Sequence, residues 1–483
     1  MSWEPVIGIE VHVELMTASK MFCGCAVDFG GEPNTRVCPT CLGLPGALPV
    51  TNRAAIESIM SIGLALSCSV SERSVFHRKN YFYADLPKNY QISQFDVPVC
   101  HDGHLDIDVD GETRRIGIER AHMEEDTGKS THLGAGGRIH AAEGTLLDFN
   151  RSGVPLVEIV SRPDIRSAAE SRVYAQELRS VIAELGVSDV RLEEGSIRFD
   201  ANVSIRPRGE SAYGTKVEIK NMNSFRSLER AVDHEIERQV ELVESGGVVV
   251  QETRHWDEET GVTHSMRVKE GSSDYRYFTE PDLVPMSMSP EWVARVRERL
   301  PELPARRRSR YVGQGLEVGA AGALSNLDAN LRAVYEQAVL SGAPARAAAR
   351  WLTGEVVGWL RKSEAGAEPP PGLNGQDLAA LISMVDDGSL SSSAAKEVLD
   401  GVLSGEGSPR EVAERRDLVQ VSDTGALEVA VDEVLAGNPK AADELRSGEE
   451  KVLGFLVGQV MKATQGKADP RIVNRILRDR LSG

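Results

Sequence analysis

The chain has 483 residues and a formal net charge of −18, with 41% hydrophobic, 27% charged and 5% aromatic residues. This length is too great for one ordinary core and predicts about two to four domains. The acidic balance argues against a non-specific DNA-binding protein, but it leaves room for a local basic surface that binds RNA. No stretch reaches the roughly 18–20 apolar residues of a membrane span, and the N-terminus lacks a secretory pattern, so we expect a cytoplasmic protein.

The first predicted element is a β-strand over Ile7–Leu15, in which apolar and other side chains alternate strictly. Because successive strand side chains point to opposite faces, Glu10, His12 and Glu14 share one face. Two carboxylates beside an imidazole suit a divalent cation. A polar face exposed to water is the alternative. We favour it for Glu14 alone, but favour a site for Glu10 and His12 because other acidic clusters can complete one.

All six cysteines lie in the first hundred residues, and four of them form the pairs Cys23-Gly-Cys25 and Cys38-Pro-Thr-Cys41. In a large cytoplasmic chain, clustered cysteines are more often metal ligands than disulfides. Two close pairs of thiolates can close a tetrahedral site with no open position, which predicts a structural Zn²⁺. Four reduced free thiols are the alternative. Cys68 lies in an apolar helix-like run and is predicted to pack in the core.

Two parts of the sequence combine positive charge with aromatic rings. One is His77-Arg-Lys-Asn-Tyr-Phe-Tyr83, followed by Lys88-Asn-Tyr-Gln91, and the other is Asp274-Tyr-Arg-Tyr-Phe278. Such residues can stack on a base or bind phosphate. They can equally form a buried aromatic turn whose Lys and Arg heads reach solvent, and the sequence favours neither reading.

The strongest acidic cluster is His122-Met-Glu124-Glu125-Asp126, where three adjacent acids repel one another unless they are exposed or hold cations. Glu158 is a further candidate, as a lone acid inside an apolar strand at 155–160. Oxygen ligands with one His favour Mg²⁺ or Mn²⁺ over Zn²⁺. The next residues, Thr127–Thr131, resemble the end of a P-loop. Because Met123 stands where that motif needs its first Gly, we expect no P-loop here.

Helices and strands alternate through the rest of the first 294 residues. One helix begins after Ser167, where Glu170 predicts a capping box, and ends at Gly186. A second helix has apolar residues at helical spacing over 225–240 and stops at the following glycines. Strands are predicted beside them at Val190–Leu192 and Lys216–Ile219. Residues 1–294 therefore read as a mixed α+β domain.

After Pro290 the sequence becomes rich in Ala, Leu and Arg with helical periodicity. We predict an all-helical domain over 295–408, with a loop at Ala365–Gly375, and a small helical tail over 409–483 beyond a Gly- and Ser-rich break. From residue 451 the tail has seven Lys or Arg and two Asp, a net of +5 in an acidic chain. This local change from negative to positive net charge indicates a nucleic-acid contact, with a solvated helix face as the alternative. The residues concerned include Lys462, Lys467, Arg471 and Arg475.

Several long strings, spread from the first ten residues to the last thirty, resemble the B-subunit family of the aspartyl/glutamyl-tRNA(Asn/Gln) amidotransferases. They are Val6-Ile-Gly-Ile-Glu-Val-His-Val-Glu14, Arg78-Lys-Asn-Tyr-Phe-Tyr83, Tyr90-Gln-Ile-Ser-Gln94, His122-Met-Glu-Glu-Asp126, Glu194-Gly-Ser196 and Gly454-Phe-Leu-Val-Gly-Gln-Val-Met-Lys462. The resemblance implies a cradle-shaped mixed α/β catalytic domain, a helical domain and a small helical tail that contacts tRNA.

The resemblance also implies an activity, that of a carbon–nitrogen ligase which takes its nitrogen from glutamine. A glutaminase (amidase) subunit would supply ammonia, and a small third subunit would bridge the heterotrimer. The chain would use ATP and Mg²⁺ to phosphorylate the misacylated Glu or Asp on tRNA, and ammonia would then displace phosphate. By similarity, His12, Glu125 and Glu158 are the expected Mg²⁺ ligands, with Glu10 and Glu124 close by. The cysteines resemble the family's zinc-binding variant.

Two other functions fit the same residues. A non-catalytic tRNA-binding scaffold would use the acidic cluster only structurally, and a metal-dependent hydrolase would act through Glu10 and His12 without ATP or tRNA. The choice among Glu124, Glu125 and Asp126 as ligand stays open, because a strand register shifts easily by one residue. Whether Glu-tRNA(Gln), Asp-tRNA(Asn) or both are substrates also stays open, as do the residues that contact ATP.

Overall fold

The computed structural model describes residues 2–134, 143–268, 275–363, 372–420, 424–446, 451–464, 468 and 470–481. The chain divides into two compact units, Met1–Leu303 and Pro304–Gly483. The first unit mixes strands with helices and the second is helical, which confirms the predicted fold class. The predicted boundary at 294 falls within a helix of the first unit, Pro290–Glu298.

The strands of the described residues all lie in the first unit. They are β1 (Trp3–Glu14), β2 (Ser69–Val70), β3 (Arg73–Ser74), β4 (His77–Asn80), β5 (Tyr90–Ser93), β6 (Cys100–Val109), β7 (Glu112–Glu125), β8 (Lys129–Leu133), β9 (Gly144–Asp148), β10 (Pro155–Ser161), β11 (Ile197–Pro207), β12 (Val217–Lys220), β13 (Glu252–Asp257), β14 (Val262–Val268), β15 (Phe278–Thr279) and β16 (Met286–Ser287). The predicted strands at 7–15 and 216–219 are thus confirmed, as β1 and β12.

Nine strands form one sheet in the order β14-β13-β12-β11-β1-β10-β7-β6-β2. All neighbouring strands are antiparallel except β12 and β13. The predicted strand β1 lies at the centre, and its Ile9, Val11 and Val13 are fully buried in the main core. The opposite face of the same strands carries the polar side chains. A smaller sheet, in the order β15-β4-β5, contributes further residues beside that polar face.

Helices α1 (Arg53–Ala65), α2 (Ala168–Leu185) and α3 (Phe225–Glu244) cover the apolar face, and α4 (Pro290–Glu298) ends the unit. The predicted N-cap of α2 is confirmed, because Ser167 Oγ accepts the backbone N–H of Glu170 at 3.1 Å. The Glu170 carboxylate bonds instead to the backbone N–H of Arg166, at 2.7 Å, so the predicted capping box does not close. Gly186 ends the helix in the left-handed conformation, at φ +64°.

The predicted strand at Val190–Leu192 is wrong, because these residues form a loop. Val190 has φ +48°, which lies outside the region that strands occupy. Its carbonyl accepts a hydrogen bond from Arg179 Nε at 3.0 Å instead of pairing with another strand. A helix side chain has therefore satisfied the backbone group that a sheet would otherwise have used.

The second unit contains the helices α5 (Pro304–Gly313), α6 (Val318–Ser325), α7 (Ala329–Leu340), α8 (Ala345–Arg350), a π-helix (Trp351–Val356), α9 (Val357–Lys362), α10 (Gly375–Asp386), α11 (Ser392–Leu403), α12 (Pro409–Arg415), α13 (Thr424–Gly437), α14 (Pro439–Arg446), α15 (Lys451–Ala463) and α16 (Pro470–Leu481). They enclose two separate cores, one within 311–413 and one within 427–477. A loop separates α11 from α12 before Pro409 as predicted, but the predicted start of the tail at 409 is too early, because Val412 and Ala413 of α12 pack in the first core and the second core begins at Leu427. Most of the predicted loop at 365–375 lies outside the described residues. Among the helices described, none combines the length and the apolar character needed to cross a membrane.

Candidate functional site

The sheet register places three functional side chains side by side. Antiparallel pairing sets His12 of β1 opposite Glu158 of β10, and Glu158 opposite His122 of β7. Residues that face one another across a ladder project from the same face of the sheet. The Glu158 Oε2 atom accordingly lies 3.5 Å from His12 Nε2 and 3.5 Å from His122 Nε2.

Glu124 joins this group from two residues further along β7, on the same face as His122. Its Oε1 atom lies 3.5 Å from His122 Nε2. One ligand atom from each of His12, Glu124 and Glu158 falls within 4.8 Å of the others, so that a single ion can contact all three. We name these three residues the carboxylate–histidine group. An imidazole with two carboxylates is a donor set that suits a divalent cation such as Mg²⁺ or Mn²⁺.

The electrostatics keep both carboxylates of this group ionised. Burial by itself would raise the pKa of Glu158, but His122 and His12 more than offset it and hold the pKa at about 2. Burial also opposes ionisation of Glu124, yet Lys79, followed by His122 and His12, holds its pKa well below the usual value. Negative charge is therefore concentrated at a largely buried position, which a cation can neutralise.

A shell of hydrogen bonds fixes the carboxylate of Glu124. Its Oε1 accepts from Ser93 Oγ at 2.7 Å and from Lys79 Nζ at 3.2 Å, and its Oε2 accepts from Gln91 Nε2 at 3.0 Å. These partners come from β4 and β5, the strands of the smaller sheet. Such outer contacts orient metal ligands and tune their affinity.

The structure does not bring Glu125 to this group, contrary to the predicted set of His12, Glu125 and Glu158. Because side chains alternate along β7, Glu124 shares a face with His122 while Glu125 faces the other way. The Glu125 carboxylate is paired with Lys88 and accepts the backbone N–H of Ile92 at 2.9 Å. It borders a separate cavity of about 210 Å³ beside the cysteines. The geometry thus favours Glu124 among the three adjacent acids.

Two acids of β1, Glu10 and Glu14, lie outside the group. The Glu10 carboxylate accepts a hydrogen bond from Asn202 Nδ2 at 3.0 Å. Burial, followed by the charge of Glu158, raises the pKa of Glu10. Burial and the neighbouring Asp126 raise the pKa of Glu14 to about 8. The predicted proximity of Glu10 is therefore present, but as a neighbour of the three ligand atoms.

A cavity of about 780 Å³ opens over the carboxylate–histidine group and is lined by both signs of charge. Two basic residues that sequence reasoning missed face it, Arg198 and Lys220. Arg198 Nη2 lies 3.0 Å from Asp126 Oδ2, and Lys220 Nζ lies 2.7 Å from Asp200 Oδ2. Arg198 reaches the site because β11 pairs with β1, which sets it directly opposite His12. The polar alternation of β11 is the one sequence signal that could have found it.

The four predicted zinc ligands also come together. One Sγ atom from each of Cys23, Cys25, Cys38 and Cys41 lies within 4.8 Å of the others. Four thiol sulfurs at this spacing are the donor set of a closed tetrahedral zinc site. The amine of Lys20, a residue that is 1% exposed, lies 3.7 Å from Cys41 Sγ and donates to the carbonyl of Phe149 at 3.2 Å. The cysteine loop is thereby tied to the segment that leads into β10.

Two sequence-family comparisons cover most of the chain. Residues 5–294 match the GatB/GatE catalytic domain, and residues 333–481 match the GatB domain. The curated relatives include the aspartyl/glutamyl-tRNA(Asn/Gln) amidotransferase B subunit of Moorella thermoacetica, 51% identical over 100% of both chains. The protein of the same name from Salinispora arenicola is 52% identical over 99% of this chain and 96% of its own, and that of Geobacter sulfurreducens is 50% identical over 100% of both.

The chain belongs to the amidotransferase B-subunit family. The carboxylate–histidine group and its cavity lie wholly within the part that matches the catalytic domain of the family. Of the residues 127–131 that resemble a P-loop, the first two form an irregular connection and the rest belong to the strand β8, so no helix follows them. The expected absence of a P-loop in this member of the family thus agrees with the local structure.

The basic tail of this family member lies within the part that matches the GatB domain. Lys462 is exposed on α15, and Arg471 and Arg475 are exposed on α16. Their two helices pack on the small core of 427–477. Lys467, the fourth predicted contact, lies outside the described residues. Three of the four basic side chains are thus carried by helices of one folded body.

Proposed function

We propose that this chain acts as the B subunit of a tRNA-dependent amidotransferase, and that the 780 Å³ cavity is where the side chain of the misacylated amino acid reacts. Its substrates are Glu-tRNA(Gln), Asp-tRNA(Asn) or both. The relatives named above support the overall reaction. The observation that carries the location is the convergence of ligand atoms from His12, Glu124 and Glu158, two of which, His12 and Glu124, line this charged cavity.

The chemistry explains why such a cavity is needed. A carboxylate is a poor acceptor for ammonia because oxide would have to leave. Transfer of the terminal phosphoryl group of ATP to the carboxylate oxygen gives an acyl phosphate and ADP. Ammonia then attacks the carbonyl carbon, phosphate departs with the oxygen, and loss of a proton from nitrogen leaves the amide. The cavity must exclude water at this stage, since water would hydrolyse the acyl phosphate.

The chain's own residues fit the binding of Mg²⁺ and phosphate. His12, Glu124 and Glu158 hold the ion, which supplies positive charge for the transferred phosphoryl group. Lys79 and Arg198 line the same cavity and carry their positive charge within contact distance of carboxylates. They are placed to pair with phosphate oxygens when ATP binds. Ion binding by the three ligands and phosphate binding by the two basic residues do not require a P-loop.

The cysteine quartet holds a structural zinc ion in this proposal. Support comes from the four sulfurs, which leave no open position for a substrate, and from their distance in sequence from Glu124 and Glu158. Zinc binding would fix the loop that Lys20 ties to Phe149. Chemistry at the carboxylate–histidine group does not require zinc as a reactant.

Other subunits and tRNA complete the proposed enzyme. The sequence has no Ser-Ser-Lys amidase signature, so ammonia comes from a separate glutaminase subunit, and a small third subunit completes the heterotrimer. Lys462, Lys467, Arg471 and Arg475 contact the tRNA backbone. The local net charge of +5 supports that contact, because phosphate attracts such a patch on an acidic protein.

Reconstitution with the glutaminase subunit and the small third subunit tests the proposal. Wild-type complex should form Gln-tRNA or Asn-tRNA only with ATP, and should hydrolyse ATP only with misacylated tRNA. His12→Ala should lose both activities, whereas His101→Ala, which changes a partly exposed histidine of the same sheet, should keep them. Binding of tRNA without ATP turnover would indicate the scaffold function. Activity without ATP or tRNA would indicate the hydrolase.

A further inference from the structure

Five aromatic rings from three segments form one chain of ring contacts, and we name them the aromatic cluster: Tyr81, Tyr83, Phe95, Tyr275 and Tyr277. Tyr81 lines the 780 Å³ cavity. Phe95 and Tyr277 stack with centroids 4.4 Å apart and planes 13° apart. The Tyr275 ring stands edge-on to both Tyr277 and Tyr81, at 6.0 and 6.1 Å. Tyr83 and Phe95 are 55% and 56% exposed, so the buried aromatic turn that the sequence left open for residues 77–83 does not describe Tyr83.

Two chains of contacts connect the aromatic cluster to the carboxylate–histidine group. In the first, Lys79 Nζ lies 5.5 Å from the centroid of Tyr275 and 3.2 Å from Glu124 Oε1. In the second, Tyr81 Oη donates to Gln91 Oε1 at 3.3 Å, and Gln91 Nε2 donates to Glu124 Oε2 at 3.0 Å. Tyr81, Lys79 and Gln91 all line the 780 Å³ cavity. Tyr81 therefore borders the same space as Glu124. Tyr83 and Tyr275 adjoin it through their contacts with Tyr81, and Tyr275 also through Lys79.

The backbone that carries the two tyrosines is held in an unusual conformation. Arg276, between Tyr275 and Tyr277, has φ +47°, which a residue other than Gly rarely adopts. The Asn80 side chain stabilises it by donating to the carbonyls of Tyr275 and Arg276 at 3.1 and 2.8 Å. Strained conformations of this kind persist where the surroundings fix them, and they cluster at ligand sites. Asn80 directly follows Lys79, so one strand positions both the cation and the rings.

Resting on the proposed function, we propose that the aromatic cluster binds the adenine ring of an adenosine group. The charged group attached to that adenosine then faces Lys79 and the carboxylate–histidine group. Every base presents a flat π-face to an aromatic side chain, and tyrosine supplies a rigid apolar surface with a polar edge. The reaction offers two adenosine groups. One is that of ATP, and the other is the 3′-terminal nucleoside that carries the misacylated amino acid.

Steady-state kinetics of the reconstituted complex separate these two sources. We expect Tyr275→Leu and Tyr277→Leu, which keep an apolar side chain but remove the ring, to raise one Michaelis constant about 5- to 150-fold, the equivalent of about 1 to 3 kcal/mol. A rise in KM for ATP alone assigns the adenine of ATP. A rise in KM for misacylated tRNA alone assigns the terminal adenosine. Tyr277→Phe, which keeps the ring, should leave both Michaelis constants at their wild-type values.

The control is Tyr213→Leu, which removes a tyrosine that is 68% exposed in the same unit and should leave both constants unchanged. A fluorescence measurement on wild-type complex covers the case in which a variant fails to fold. The probes are 1,N6-etheno-ATP and a tRNA with 2-aminopurine at its 3′ end, whose emission falls when the base stacks on an aromatic ring.

Quenching of either probe that is competed by the unlabelled compound supports the inference. No quenching of either, or Leu variants with wild-type melting temperature and both constants within about twofold of wild type, would overturn it. In that case, ATP-dependent amidation that still requires His12 would leave the proposed function intact. A wild-type complex that shows no ATP-dependent amidation would instead remove the proposed function itself.

Discussion

The exchange of Glu124 for Gln is the sharpest perturbation that the site offers. The introduced amide would keep the shape of a carboxylate that is 2% exposed and could still meet Ser93 and Gln91. It would lose the negative charge, and with it one of the three metal ligands and the partner of Lys79. Removal of one preorganised electrostatic group from a reaction site lowers kcat by about 100- to 1000-fold. We expect Glu124→Gln to lower amidation by at least this factor.

The adjacent exchange, Glu125→Gln, is a matched control that differs by one position in β7. Glu125 is paired with Lys88 outside the carboxylate–histidine group, so its loss should not change the apparent affinity for Mg²⁺. It should instead destabilise the first unit by about 3–5 kcal/mol, because it leaves a buried amine without its carboxylate. A urea titration measures that cost separately from activity.

The assay for both variants is a titration of Mg²⁺ in the reconstituted complex, with product tRNA as the readout. Glu124→Gln should shift the Mg²⁺ concentration for half-maximal rate upward by tenfold or more, in line with the about 10- to 100-fold lost when even an indirect metal contact is removed. Glu125→Gln should leave that concentration within about threefold of wild type. A Mg²⁺ shift confined to Glu125→Gln would refute the assignment of Glu124 as ligand.

Three further predictions address zinc, stability and tRNA. Cys38→Ser should abolish stoichiometric zinc, as measured by mass spectrometry of the metal, while Cys68→Ala, outside the quartet, should keep it. Glu235→Ala removes a carboxylate that is 0% exposed and paired with two arginines. It should lower the free energy of unfolding in urea by about 3–5 kcal/mol, against less than about 0.5 kcal/mol for Glu237→Ala at an exposed position of the same helix. Arg475→Ala should weaken tRNA binding and reduce the slope of log affinity against log salt by about 1. An unchanged slope would remove Arg475 from the tRNA contact.

Local sequence patterns correctly predicted elements that depend on neighbouring residues alone. Strict alternation identified β1, and the cap at Ser167 with the glycine at 186 identified α2. The strand predicted at Val190–Leu192 failed because a side chain of the preceding helix, Arg179, takes the carbonyl that a sheet partner would have used. Three residues are too few for alternation to outweigh such a contact.

The candidate site shows the same division between local and long-range information. His12 and Glu158 were identified as ligands with the help of the family resemblance, and the structure brings them together. The choice between Glu124 and Glu125 depends on which face of β7 meets β10, and adjacent acids carry no information about that. Arg198 was missed altogether, because its position opposite His12 follows from pairing between strands almost two hundred residues apart.

Anomalous diffraction from crystals soaked in Mn²⁺ would show whether one divalent ion is held between His12, Glu124 and Glu158. We predict a manganese peak at coordination distance, about 2.0–2.3 Å, from His12 Nε2 and from both carboxylates. A peak at Glu125, or an empty cavity in crystals that bind manganese elsewhere, would contradict it.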